Sequence, residues 1–561
     1  MKSEINVKLI MVLLVLVGSI LLVSNSLHIF SFIFIIPFSI FLLIVPSFAI
    51  LKYLDNNQIS LIHIFILLFP FVVIYNVFYL SNGLSTGFQD VQNHLYYYYK
   101  LFNIYGNINY EGVTQISYNY IGMYVYYYLL ANVSGQTVNV LGSTIPSIIA
   151  VISLLVFFSL ISKIHGNKIG FFSTIIFGWS FEVILFSHEF RTQTFGFLMI
   201  LTFLLLTTIS AKFEVKQKTL LLQILIVLFT ATVSFTISFY YIIMILTIII
   251  YNIILKRRLN ISNKNDILNR ILLLFFIITI FYLLYISKGF NNIVETIIYL
   301  VNTTIRGGDI SESNIDLFYS GSFVYIIMLL FKLILGFSIL YYSYYYLYKQ
   351  YNLNNSAIIS LGSLVLLYVL DVIVNFTLSP TRILSVAMTF CSVSIIFTVL
   401  NLHYSKKKLN RICGKLLSIL IFIIIVSSFI KLPTYVIGDT SPLRTDEPID
   451  AVTYWTSNTN QIIAADFISN YCFDNRINLF VDIITYQLSN NVEINNITII
   501  NIYDSIDNIN ESNIQQNDLL LMQECYMGNS YPQRGENQIH SIYYNYSIIY
   551  SNDNYKIMMV A

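Results

Sequence analysis

Long apolar runs, broken by short polar connections, fill the chain from Leu9 to Ile430. A bilayer-crossing helix needs about 20 apolar residues, and by that measure the pattern predicts about thirteen spanning helices, some of them short. The runs are Leu9–Val23, Ile29–Ile50, Ile59–Leu80, Val138–Ile161, Ile169–Phe186, Phe195–Ser210, Leu220–Val233, Phe235–Leu255, Ile271–Ile286, Phe323–Leu347, Ala357–Phe376, Ile383–Leu402 and Leu416–Ile430. Lys2 and Lys8 precede the first, as in a signal peptide; no small-residue cleavage pattern follows, so an uncleaved anchor is expected. Between Leu220 and Leu255, the stretch Thr230–Ser238 reads either as a tight outer turn or as the middle of one long bent helix.

The polar connections differ in charge. Lys and Arg gather in Lys163–Lys168, Lys212–Lys218, Lys256–Arg270 and Lys406–Lys415, and all four fall on one side if the runs alternate. The positive-inside bias makes that side the cytoplasm and puts the N-terminus there. The opposite side receives residues 81–136, Ser187–Thr194, Lys288–Gly321, Leu378–Arg382 and everything after Lys431. Within the first of these, Asp90–Tyr105 is expected to be helical. Ile121–Leu130 is expected to be a short helix lying in the outer interface.

The pattern changes near Pro433. No spanning run follows, and Asn, Asp and Pro become frequent. Gln461–Tyr471 reads as a helix. Asn478–Tyr486, Ile497–Tyr503, Asp518–Gln523 and Ser541–Tyr550 read as strands, with a hairpin over Ile548–Val560 turning at Asn552-Asp553-Asn554. The expected architecture is an α-helical polytopic membrane protein. Its transmembrane domain covers 1–432, and a small extracytoplasmic α/β domain covers 433–561. Sequons at Asn496, Asn510 and Asn545 agree with that side but arise by chance in so Asn-rich a chain.

Composition supports the membrane reading. The chain of 561 residues is 57% hydrophobic and 10% charged, with mean hydropathy +0.73, whereas soluble domains carry roughly 25% charged residues. The net charge of +2 gives no ground for nucleic-acid binding. Cys391, Cys413, Cys472 and Cys525 show no metal-ligand spacing, and Cys472 and Cys525 read either as a disulfide or as two free thiols. Phosphate-binding glycine loops and hydrolase, zinc-protease and kinase signatures do not occur.

Candidate chemistry collects at the outer ends of the expected spans. Asp90 and His94 follow the third; Glu182, His188, Glu189, Arg191 and Gln193 surround the end of the fifth. Arg306 and Asp309 share a loop. Asp371 and Asn375 lie one helical turn apart in the eleventh, and Arg382 opens the twelfth. A charge inside a bilayer costs at least about 2.5–3.5 kcal/mol, so Asp371 needs a partner or a wet cavity. One reading pairs Asp371 with Arg382 or Arg191 merely for neutrality; the other makes the set functional. Arg suits phosphate, since its planar fork gives bidentate bonds, and an Asp at the water–lipid boundary can take a proton from an acceptor. The set therefore fits a lipid-linked phosphate donor and a hydroxyl or amide acceptor. The runs Tyr96–Tyr99 and Tyr341–Tyr346 read as interfacial aromatic belts, and His28, His63, His165 and His403 as structural.

Four stretches carry a family likeness: Phe88-Gln-Asp90-Val-Gln-Asn-His94 with Asn103-Ile-Tyr-Gly106; Tyr118-Asn-Tyr-Ile-Gly122 through Ser134-Gly135 and Val138–Gly170; Arg191-Thr-Gln-Thr-Phe-Gly196; and Ile549–Ile557. Their order resembles the GT-C superfamily, membrane glycosyltransferases that use polyprenyl-phosphate sugars, including protein O-mannosyltransferases, aminoarabinose transferases and oligosaccharyltransferases. The last stretch is similar to the C-terminal domains of archaeal members. The resemblance implies that Asp90 is the catalytic base or orients the acceptor. It also implies that outer Arg residues hold the lipid phosphate, for which Arg191, Arg306 and Arg382 are the candidates; His94, His188, Glu189 and Asp371 are read as further site contacts. The sequence departs from the family in three places. Gln89 and Val91 flank Asp90 where O-mannosyltransferases have an Asp-Glu pair. Only Trp455 stands where oligosaccharyltransferases have W-W-D-x-G, and the first loop has no D-x-D. A divalent metal is therefore not favoured, and a lipid-linked saccharide flippase or a non-catalytic descendant of the family remain alternatives.

Overall fold

The computed structural model describes residues 121–136, 138–180, 192–212, 217–259, 264–281, 333–348, 356–374 and 380–417, five strands between 477 and 560, and the single positions 64, 68, 69, 71, 72, 98, 102 and 183. By its contacts the chain forms two compact units. One is Met1–Val77, Val113–Gly135 and Thr144–Pro433; the other is Phe78–Gly112, Gln136–Ser143 and Thr434–Ala561.

Apolar runs became helices because a backbone in lipid must satisfy its own polar groups. The helices are α1 (Ile121–Ser134), α2 (Val138–His165), α3 (Asn167–Trp179), α4 (Thr192–Lys212), α5 (Gln217–Val233), α6 (Phe235–Leu259) and α7 (Lys264–Phe281). They continue with α8 (333–342, prolonged by a π-helical turn Ser343–Tyr348), α9 (Ser356–Val374), α10 (Pro380–His403) and α11 (408–417). Among the described residues, three stretches are long and apolar enough to cross a membrane: Thr144–His165, Ile237–Ile254 and Ile383–His403. Thr194–Ile209, Leu221–Val233, Leu333–Tyr345 and Ala357–Val369 are shorter apolar helices. Exposed Leu221, Leu222, Leu225 and Leu228 on α5, Ile250, Ile253 and Ile254 on α6, and Leu273, Leu274 and Ile277 on α7 present the apolar exterior of an α-helical membrane protein.

Several boundaries differ from the expected runs. α3 stops at Trp179 instead of reaching Phe186, because Ser180 turns extended (φ −68°, ψ 133°) and its hydroxyl bonds the Phe177 carbonyl at 2.9 Å. Lys406–Lys415, read as a basic loop, contains the start of α11. At Thr230–Ser238 the chain forms two helices joined through Ser234 alone. The Ser238 hydroxyl reaches the carbonyls of both Ser234 (2.8 Å) and Thr230 (3.3 Å). Gln223 of α5 reaches Thr207 of α4 and Phe229 meets Phe195, whereas Ile237 of α6 lies against Gly196 and Tyr241 against Phe203. α5 therefore runs antiparallel to α4 and α6 parallel to it, and the chain reverses at Ser234. Ser234 Oγ also accepts from the Ile237 amide at 3.3 Å, capping α6.

α10 is the central helix. In its apolar window 78% is buried, against 44% for α6. It packs on α9 and α3, and Ser385, Thr389, Ser392, Ser394 and Thr398 are fully buried along it. Small side chains let helices approach closely. Most of these hydroxyls are satisfied within the helix: Thr389 donates to Val386 O (2.7 Å), Ser394 to Phe390 O (2.9 Å) and Thr398 to Ser394 O (2.7 Å).

In the second unit the strands are β1 (Ile477–Val481), β2 (Ile497–Asn501), β3 (Leu519–Gln523), β4 (Tyr546–Ser551) and β5 (Tyr555–Val560). They form a sheet of order β2-β1-β3-β5-β4. β1 pairs parallel with β2 and β3; β5 pairs antiparallel with β3 and β4. Parallel neighbours need a crossover of a dozen or more residues, and the β1–β2 and β2–β3 connections are long enough for one. β4 and β5 flank Asn552-Asp553-Asn554, with a register shift between Ile548 and Tyr550. The expected spans Leu9–Val23 and Ile29–Ile50, most of Leu416–Ile430, the helix Gln461–Tyr471, and Cys472 and Cys525 lie outside the described residues.

Candidate functional site

The helical unit has two chemically different ends. At the first, the α2–α3 turn passes through Gly166 at φ +90°, where a side chain would be strained. His165 Nε2 lies 2.8 Å from the Tyr342 hydroxyl, and Phe397 packs against both rings. Lys168 Nζ donates to Tyr404 Oη at 2.7 Å, and Asn401 donates to Tyr341 Oη at 3.0 Å. These contacts bring the lysine-bearing ends of α2 and α3 together with the ends of α8 and α10. The run Tyr341–Tyr346 is therefore only partly a belt: Tyr342 is fully buried, whereas Tyr344 is exposed.

The second end is reached along α3 and α10. Phe177, near the end of α3, packs on Phe197 near the start of α4. Gly196 lies against Ile237 at the start of α6, and Gly122 of α1 lies against Thr232 at the end of α5. An edge-to-face aromatic group closes this end. Tyr126 meets Phe195 at 5.1 Å and Phe229 at 6.5 Å, and Tyr127 meets Phe195 at 5.9 Å. Tyr127 is fully buried. Tyr126 is half-buried, and that burial holds its phenol above the ordinary range, so it stays neutral. Sequence reasoning placed α1 in an interface but missed this group, whose members are spread over about a hundred residues of the chain.

The candidate residues relate to this geometry unevenly. Asp371 lies in the last turn of α9 and Arg382 in the first turn of α10. α9 and α10 pack together, and only five residues separate Val374 from Pro380, so both positions belong to one end of this helix pair. Arg382 lies 21 residues from His403, about 32 Å along a helix, and so opposite the lysine-rich end. Arg191 directly precedes Thr192, the first residue of α4. Asp90, His94, His188, Glu189, Arg191 and Arg306 lie outside the described residues. Among the described residues, no group of three or more His, Cys, Asp or Glu is placed to hold a metal ion.

No protein-family model matches the chain, and no curated protein does. Among solved structures the chain is similar to an oligosaccharyltransferase of Archaeoglobus fulgidus, crystallised as a complex with zinc and sulfate. The identity is 9% and the TM-score 0.49, over 82% of this chain and 68% of that one.

Proposed function

We propose that the protein is a GT-C-type membrane glycosyltransferase that moves a sugar from a polyprenyl-phosphate carrier to an extracytoplasmic acceptor. In this reading it is multi-pass, with a cytoplasmic N-terminus. Residues 1–432 hold the transmembrane part, and 433–561 form an extracytoplasmic α/β domain. The observation that carries the reading is the polarity of the helical unit. Lysines mark one end; Asp371, Arg382 and the entry to α4 after Arg191 mark the other, where Tyr126, Phe195 and Phe229 pack as an aromatic cluster. The sequence likeness around Asp90 supplies the rest.

The chemistry follows from these groups. The acceptor O–H or N–H attacks the anomeric carbon while Asp90 takes or orients its proton. The bond from sugar to phosphate breaks, and the phosphate leaves on its lipid. Arg191, Arg306 and Arg382 stabilise the charge on that phosphate through bidentate hydrogen bonds. His94, His188, Glu189 and Asp371 complete the contacts.

The test is transfer of label from a labelled polyprenyl-phosphate sugar by the purified protein. Asp90→Asn abolishes transfer and leaves helicity unchanged. Undiminished transfer by that variant removes Asp90 from the mechanism. Label that crosses liposomes without changing carrier indicates a flippase instead.

A further inference from the structure

We infer that α11, together with the α2–α3 turn, is a binding surface for anionic phospholipid headgroups. This is independent of the proposed transfer chemistry: none of the residues assigned to it lies in α11 or in the α2–α3 turn. The ten residues of α11 present three stripes. Gly414 and Leu417 face inward: a Cβ on Gly414 would come within 2.7 Å of the His403 amide nitrogen, and Leu417 packs on Leu402 and Ile334. Leu409, Ile412 and Leu416 form an apolar stripe at spacing i, i+3, i+7 and are 71%, 47% and 56% exposed. Lys408, Arg411 and Lys415 form a second exposed stripe at the same spacing, one residue earlier and so about 100° around the helix.

Lys406 and Lys407 extend the cationic stripe and are exposed too. Across from them, Lys168 reaches Tyr404 beside exposed Lys163. No Asp or Glu occurs between Asp371 and Asp439, so the segment that forms α11 carries cations alone. Exposed Tyr404, in edge-to-face contact with His403, suits the boundary between lipid and water.

A free anion would use the cations and gain nothing from Leu409, Ile412 and Leu416. A phospholipid uses both stripes: the headgroup phosphate meets Lys408, Arg411 and Lys415, and the acyl chains cover the leucine and isoleucine side chains. The stems of the lysines lie along apolar surface while their ammonium groups reach the phosphates.

The test measures the association of spin-labelled phosphatidylglycerol relative to spin-labelled phosphatidylcholine with full-length protein in phosphatidylcholine nanodiscs. Arg411→Gln and Lys415→Gln are read singly and combined, so the result does not depend on one variant folding. The preference for phosphatidylglycerol falls by about fivefold for each charge in headgroup contact, and Arg411→Lys with Lys415→Arg keeps it. Equal preference in wild-type and Gln variants overturns the inference. So does displacement of the lipid by inorganic phosphate but not by chloride at equal ionic strength.

Discussion

Replacing Gly196 by Ala tests whether α4 and α6 meet as closely as described. A Cβ there would lie 2.6 Å from Ile237 Cδ1 and 2.9 Å from Cγ2, with Cγ1 nearer still. Carbon atoms prefer about 3.5–4.0 Å, so the helices must part by roughly 1 Å or Ile237 must move. Both branches of Ile237 are in the way, so a single rotamer change does not clear the clash, and Ile237 is fully buried. Overpacking of this kind costs about 1–3 kcal/mol, while Gly→Ala inside a helix returns about 1 kcal/mol. The net loss is about 0–2 kcal/mol. Ile237→Ala alone costs about 2–5 kcal/mol through the cavity it leaves. In that background the new methyl group has room, and Gly196→Ala becomes stabilising by about 1 kcal/mol. The coupling between the two positions is therefore about 1–3 kcal/mol. Mixed-micelle denaturation of the four proteins, followed by ellipticity, measures it. Equal effects of Gly196→Ala in both backgrounds would refute the close approach.

Two further substitutions probe buried polar groups. Gln223 donates to Thr207 Oγ1 at 3.3 Å, but its buried Oε1 finds no hydrogen-bond partner among the described residues, and Thr207 also donates to Phe203 O at 2.8 Å. Gln223→Leu strands nothing and leaves stability unchanged or raised by about 1 kcal/mol in the same denaturation assay; a large loss contradicts this. Tyr342→Phe removes the hydroxyl bonded to His165 and lowers stability by about 1 kcal/mol, whereas an unchanged midpoint would show that the pair contributes nothing.

Among the described residues, helices were legible where an apolar run was long, because a backbone in lipid has one way to satisfy its polar groups. Val138–Ile161 and Ile383–Leu402 foretold α2 and α10 to within a few residues, and the misses fell at the polar ends, where α4 runs on to Lys212 and α7 begins at Lys264. α11 was read as a loop because three cations and a glycine obscured its 3.6-residue period. Of the four basic connections, Lys163–Lys168 and Lys406–Lys415 come together at one end through the contact of Lys168 with Tyr404. The aromatic group Tyr126–Phe195–Phe229 was not legible, since nothing local links residues so far apart. Of the candidate site, the sequence located Asp371 and Arg382 at helix ends; Asp90, His94, His188, Glu189, Arg191 and Arg306 stand on the family likeness.

The one-residue junction at Ser234 bears on how the chain reaches its membrane. A single residue advances the chain by at most about 3.6 Å, so no loop exists between α5 and α6 for the insertion machinery to carry across ahead of the second helix. The pair is expected to behave as one hairpin unit, so an epitope or glycosylation tag placed at Ser234 would break the junction and report the side taken by a disturbed chain.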